Sequence, residues 1–357
     1  MSALSHVNDP DLHKDLVTLN MIEGIEVSGN DIRFKVILTT PSCPLKEVLR
    51  QDCVDAIAKY ISPDVKVGIE FDSRVTSQRK DKKDLLPGVK NIICVASGKG
   101  GVGKSTVAVN LALALAKNGS KVGLIDADIY GPSIPIMLGI RGKRPAVEQI
   151  NGKHFIVPLE VYGIKTLSIG LLVDERQAVA WRGPMVSSAL KQFVTDCIWG
   201  ELDYLVLDLP PGTGDIHLTL AQTIPITGAV IVTTPQDVAL ADARKALGMF
   251  RMEGVKVPVI GIVENMAWFT PAELPGNKYY IFGKGGGQKL ADEMEVPFLG
   301  QIPLVQSIRE GGDHGEPVVI SLGNPAANAF FDLAVNVERQ IAISNAAIGE
   351  AVLTVSA

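Results

Sequence analysis

From Asn91 onward the chain repeats one pattern: a short apolar run with little polar alternation, then a longer stretch suited to a helix. The runs are NIICVAS, KVGLIDA, KTLSIG, DYLVLDL, GAVIVTT, VPVIGIVEN and PFLGQIP. Stretches such as STVAVNLALALAKNG and DVALADARKALGMFRMEG separate most of them. Strands apolar on both faces and spaced by helices predict an α/β domain, with a mostly parallel sheet covered by helices on both sides. Residues 1–76 read differently, as a small α+β domain. DIRFKVIL alternates like a strand, and PLKEVLRQDCVDAIAKYI carries Leu45, Val48, Leu49, Ile57 and Ile61 at roughly helical spacing. VKVGIEF is a further strand. The polar, lysine-rich segment that follows ends in Pro-Gly, which predicts a linker over residues 77–90. The larger domain is then expected over 91–345, and a flexible tail over 346–357.

Composition narrows the class. The 357 residues are 46% hydrophobic and 20% charged, as in a globular protein with a sizeable core. A net charge of -5 argues against a dedicated nucleic-acid binder, which needs a strongly basic surface. The N-terminus has no apolar signal region, and no apolar run is long enough to span a bilayer. No nucleic-acid or membrane partner is therefore expected, and a cytoplasmic location is. The four cysteines, Cys43, Cys53, Cys94 and Cys197, are scattered, which reads as reduced thiols rather than a disulfide framework.

The candidate chemistry starts at SGKGGVGKST, residues 97–106. Gly98, Gly100 and Gly103 fit the dinucleotide pattern G-x-G-x-x-G, while Gly98, Gly103, Lys104 and Ser105 fit the P-loop G-x-x-x-x-G-K-[ST]. Both patterns require a strand before and a helix after. The residues after the last glycine decide in favour of the P-loop. Lys104 stands where a cation reaches the β- and γ-phosphates, and Ser105 where a hydroxyl meets Mg²⁺. The expected cradle is Gly98, Lys99, Gly100, Gly101, Val102, Gly103, Lys104, Ser105 and Thr106.

Later segments supply further parts. The strand DYLVLDL ends in Asp208, placed to serve the Mg²⁺ shell, and the loop PPGTGD follows it. KVGLIDADIYGPS ends another strand with Asp126 and Asp128. One carboxylate can join the metal shell and the other can orient the attacking water; capping of the short SIPIML helix is the alternative. No Asn-Lys-x-Asp guanine signal occurs, so ATP is the expected nucleotide. Asn265, just after a strand, offers an amide with donor and acceptor to an adenine edge, or is a turn asparagine. Lys99 is asked for by neither pattern. It can serve across a dimer face as a cation supplied in trans, or stand solvated.

GKGGVGKST, DADIYGPS and DLPPGTGD together resemble the deviant Walker-A ATPases, the group of MinD, ParA and the nitrogenase iron protein. Within that group, DADIYGPSIP, WRGPM, DLPPGTGD, and VENM followed by IFGKGGG resemble the Mrp/ApbC iron–sulfur cluster carriers. The N-terminal DPDL and LTTPSCP resemble the MIP18-like domain often fused to them. The resemblance implies a slow ATP hydrolase working as a homodimer, with ATP near the interface and Lys99 reaching the partner's nucleotide. It also implies that Asp128 orients water, that Asp208 belongs to the switch II region, and that apo iron–sulfur proteins and assembly factors are the partners. Trp181 resembles a position near the dimer face. A positioning ATPase of the MinD or ParA type, or a scaffold that does not itself ligate a cluster, are the alternatives.

One departure matters. Many carriers place C-x-x-C between the VENM segment and the glycine loop, whereas VENMAWFTPAELPGNKYYIFGKGGG has no cysteine. The sequence resembles a plastid and cyanobacterial type branch in this respect. Cys43 is then the candidate iron–sulfur ligand. With Pro44 at the first helical position, Cys43 would cap a helix whose N-terminus favours the thiolate. Cys94 is expected in the core, and Cys197 in the core or at an interface. GKGGG, residues 283–287, lacks a buried strand before it and Lys-Ser/Thr after it, and is read as a loop.

Overall fold

Strand and helix alternate after Val89 as the apolar runs predict, apart from four consecutive strands between Ala146 and Ser168. The computed structural model describes residues 1–77, 85–172, 183–271, 273–274, 276–321 and 323–355. It divides into two compact units, Met1–Gln78 with Glu338–Ala357, and Arg79–Val337.

In the first unit β1 (Ile22–Ser28) and β2 (Asp31–Leu38) pair antiparallel, and β3 (Lys66–Ser73) joins β2 in parallel. Helix α1 (Lys46–Tyr60) lies between β2 and β3 in the chain. Phe34, Val36 and Leu38 alternate inward along β2 and meet Leu49, Cys53 and Ile57 of α1 in one core. Strand β1 was not foreseen. Gly24 and a register shift between Glu23 and Glu26 break the alternation that would have marked it.

The second unit opens with β4 (Val89–Ala96), α2 (Lys104–Lys117), β5 (Val122–Asp126) and the short α3 (Ile134–Met137). The next elements are β6 (Ala146–Ile150), β7 (Lys153–Val157), β8 (Leu159–Val161), β9 (Ile164–Ser168) and α4 (Gly183–Thr195). It continues through β10 (Leu202–Asp208), α5 (Asp215–Thr223), β11 (Gly228–Thr233), α6 (Asp237–Arg251), β12 (Val259–Glu264), α7 (Gly286–Glu293), β13 (Phe298–Gln301) and α8 (Gln306–His314). Helix α9 (Ala326–Val355) starts in this unit, and its part from Glu338 belongs to the first unit. Eight strands form one sheet in the order β13-β12-β11-β4-β10-β5-β9-β8. All neighbours are parallel except the edge strand β8, which runs antiparallel to β9.

Ile92, Cys94 and Ala96 of β4 share a core with Leu190 and Phe193 of α4, Leu247 of α6 and Leu290 of α7. Ile93 and Val95 alternate to the other face, and α2 packs against β4, β5 and β10. Residues Val107 to Leu115 of α2 are buried without a break, because a helix in that layer is enclosed on all sides.

Two expectations are corrected by the fold, and one further element was overlooked. The expected linker overruns the fold, since β4 already begins at Val89; residues 78–84 lie outside the described residues. The expected tail is helical to Val355, as its alanine-rich sequence favours. Within the first unit Ser42 Oγ donates to Glu338, Arg339 pairs with Asp11 at 2.5 Å, and Asn345 donates to the Thr76 carbonyl at 3.0 Å. Finally, the exposed hairpin β6–β7 was missed although Asn151-Gly152, both at positive φ, carries its turn.

Candidate nucleotide and metal site

Register assembles the site. Asp208 at the end of β10 pairs with Asp126 at the end of β5, and Asp126 with Ser168 at the end of β9. On the other side Asp208 pairs with Val95, two residues before the glycine loop. β4 is flanked by β10 on one side and β11 on the other, so its C-terminal end opens on a crevice between diverging connections. That is where α2 begins. Its first-turn N–H groups have no intrahelical acceptor and form an anion-binding end.

Gly103 caps α2 at φ 80°, and a Cβ there would collide with the Asn265 amide. Only glycine meets both demands. Asn265 is buried and donates Nδ2–H to the Val102 carbonyl at 2.8 Å. Its donor therefore pins the loop rather than pointing freely at a base. Met266 next to it turns the chain at φ 54°. Beside them lies a cavity of ≈ 430 Å³, lined in part by Gly103, Thr106, Asn265, Met266, Leu304 and Arg309.

Lys104 is buried, and its Nζ lies 2.6 Å from Asp208 Oδ1 and 3.2 Å from Ser105 Oγ. The second oxygen of Asp208, Oδ2, is buried without a hydrogen-bond partner. An orphaned carboxylate oxygen beside a serine hydroxyl, at the mouth of a phosphate loop, fits a hydrated divalent cation. Burial pushes the Asp208 carboxyl above the usual range, against the pull of Lys104. Burial, and secondly the neighbouring Asp208 charge, push Asp126 up as well. Asp126 accepts from Ser168 Oγ at 3.0 Å and from the Ile134 and Asp128 amides, each at 3.2 Å. It thus supports the start of α3 and the Asp128 turn together. Asp128 is half-buried at the mouth, its Oδ1 accepting from the Gly131 amide at 3.3 Å. Lys99 is exposed on the loop. Trp181 lies outside the described residues.

Sequence reasoning missed Ser168, Glu264 and His217. Ser168 and Glu264 are polar residues at the C-terminal end of apolar strands, a signal that was available; His217 lies in the first turn of α5 and carries no such signal. Glu264 accepts from the Gly287 amide at 2.6 Å and from Gln301 at 2.7 Å, which explains the second glycine cluster as a docking turn for α7.

Cys43 requires a correction. Helix α1 begins at Lys46 with Leu45 as its cap, so Cys43 lies two residues before the cap rather than at it. Burial, reinforced by Asp9 and Asp11, pushes its thiol up, although the Leu45 amide opposes this. Cys53, Cys94 and Cys197 are fully core residues, with the thiols of Cys53 and Cys197 pushed up to about 12 by burial. Among the described residues no group of three or more His, Cys, Asp or Glu side chains could hold a metal ion. No helix among them is long and apolar enough to cross a membrane.

Strand β4, the glycine loop, α2 and the Asp208 strand end define a P-loop NTPase. Residues 88–338 match the family described as NUBPL iron-transfer P-loop NTPase, and residues 1–70 match one described as iron–sulfur cluster assembly protein. The chain belongs to the NUBPL iron-transfer P-loop NTPase family. It is 49% identical to a Synechocystis protein named iron–sulfur cluster carrier protein, over 90% of each chain. A Deinococcus radiodurans protein of the same name is 50% identical, over 90% of this chain and 88% of that one. A solved nucleotide-binding protein from Archaeoglobus fulgidus, in complex with ADP, is 39% identical with a TM-score of 0.58, covering 70% of this chain and 95% of that one.

Proposed function

We propose that this protein is an ATP-hydrolysing iron–sulfur cluster carrier or assembly factor that works as a homodimer and delivers clusters to apo iron–sulfur proteins. The observation that carries the reading is the buried Lys104–Asp208 pair with a spare carboxylate oxygen beneath the glycine loop. ATP takes the N-terminus of α2 with its phosphates and the adjoining cavity with its base. Lys104 would then exchange Asp208 for phosphate oxygens, leaving the Asp208 carboxylate available to a metal ion. Ser105, Asp208 and Asp126 would hold Mg²⁺. Mg²⁺, when bound, neutralises phosphate charge. Asp128 orients the attacking water, and Lys99, exposed on the loop, reaches the nucleotide of a second copy. Slow turnover suits a switch whose two states hold and release cargo.

The cluster is cargo. The described residues of one chain do not form a site for it, and Cys43 is the one thiol of the four that is not buried. A pair of protomers pooling Cys43 is the arrangement to test. Anaerobic reconstitution with iron and sulfide, with and without Mg-ATP, is expected to give a stable chromophore that Cys43→Ala loses while staying folded. A chromophore that survives in Cys43→Ala moves the ligands elsewhere. Absence of any cluster in every nucleotide state leaves an ATP-driven docking factor instead.

A further inference from the structure

The turn after β10 is tied down at three points. Leu209 donates to the Val95 carbonyl at 3.1 Å, Gly212 to the Ser97 carbonyl at 2.9 Å, and His217 Nε2 lies 2.8 Å from the Pro210 carbonyl. The first two are backbone bonds to β4 and its loop. Pro210 and Pro211 have no N–H and cannot add a fourth. The third bond comes from a side chain in the first turn of α5, and His217 is 2% exposed.

The chemistry of that contact fixes the tautomer. A carbonyl only accepts, so Nε2 carries the hydrogen and Nδ1 is a bare acceptor. Nδ1 is buried beside the Gly214 carbonyl without forming a well-made hydrogen bond. Filling space does not call for this, because a leucine would occupy the site with no stranded nitrogen. Burial lowers the ring's pKa against the pull of the Pro210 and Gly214 carbonyls, and the two charged side chains that act on it are Lys104 and Asp128. Those are the phosphate cation and the water-orienting carboxylate of the proposed reaction.

We propose that His217 is a positioning residue for nucleotide hydrolysis, latching the Pro210 carbonyl so that the turn after Asp208 stays seated against Ser97 and the glycine loop. The proposal rests on the ATP-hydrolysis reading above. The test compares wild type, His217→Leu and His217→Gln, the last keeping an N–H that can reach the same carbonyl. In His217→Leu, kcat for ATP is expected to fall about tenfold or more while KM stays within about threefold, with His217→Gln recovering most of the loss. Exchange of the Gly212 amide is expected to quicken about tenfold in the leucine variant and not in the glutamine variant.

Wild-type kcat in His217→Leu, or a loss confined to KM, overturns the proposal while leaving the ATPase reading intact. So does an equal loss in both variants with unchanged Gly212 exchange. A wild-type chain that hydrolyses no ATP removes the ATPase reading, and the positioning role with it. Should His217→Leu fail to fold, His217→Met takes its place in both assays.

Discussion

Two regions of this molecule present a candidate side chain next to the start of a helix, and they behave oppositely. At the N-terminus of α2, Lys104 is buried beside an acidic strand end, and backbone N–H groups face an open cavity. Ahead of α1, Cys43 sits short of the cap in a loop where burial and two aspartates hold its thiol protonated. The difference is in what fixes the backbone. The glycine loop is bolted to a central strand and closed by Asn265, so its helix can begin in one place only. The loop before α1 has no such anchor on its cap, and the helix starts at the first residues that propagate it. A helix-end argument is thus only as good as the element that sets the end.

The comparison is broken most forcefully at Lys104. Lys104→Met leaves Asp208 buried without its cation. ATP hydrolysis is expected to fall about 10²–10³-fold, as when a single transition-state contact is lost. Unfolding in urea is expected to show a loss of up to about 3–5 kcal/mol, reduced as Asp208 takes up a proton. Lys104→Met with Asp208→Leu should regain much of that stability and none of the activity. If the single variant is as stable as wild type, the pair is not the element that organises the loop.

The first unit offers a middling effect. Truncation after Val337 removes the partners of Ser42, Asp11 and Thr76, each such bond being worth about 0.5–1.5 kcal/mol or somewhat more where charged. Proteolysis within residues 1–77 is expected to quicken, while nucleotide still binds at the glycine loop. Equal protection in the truncated chain would make the end of α9 an ornament rather than a part of that unit.

The smallest effect sharpens the contrast at the thiols. A raised thiol pKa means less thiolate at a given pH, hence slower alkylation. In the native protein at pH 8, Cys43 is expected to react alone, and more slowly than an unfolded control. Cys53, Cys94 and Cys197 should react only on unfolding. Alkylation of Cys43 faster than the control would restore an activated thiol.

What the sequence by itself determined was the strand–loop–helix alternation, the phosphate loop, and the acidic strand ends at Asp126 and Asp208. Those follow from local chemistry: apolar runs must be buried on both faces, and a Gly-rich loop with Lys-Ser has few other uses. The start of α1 and the helical C-terminus were misread and β1 was overlooked: the first depends on the surrounding fold, the second was an under-weighted helix propensity, and the third is hidden by a glycine and a register shift. Only the tertiary structure decided that Asp208, Asp126 and Ser168 stand side by side, since parallel register is set by crossovers and not by spacing. It alone turned Asn265 into a clamp, gave Glu264 its glycine, and brought a buried His217 under Pro210. Hydrogen bonds between residues far apart in sequence carry no periodic trace, and they are what distinguishes a loop that matches a pattern from one that is held in place.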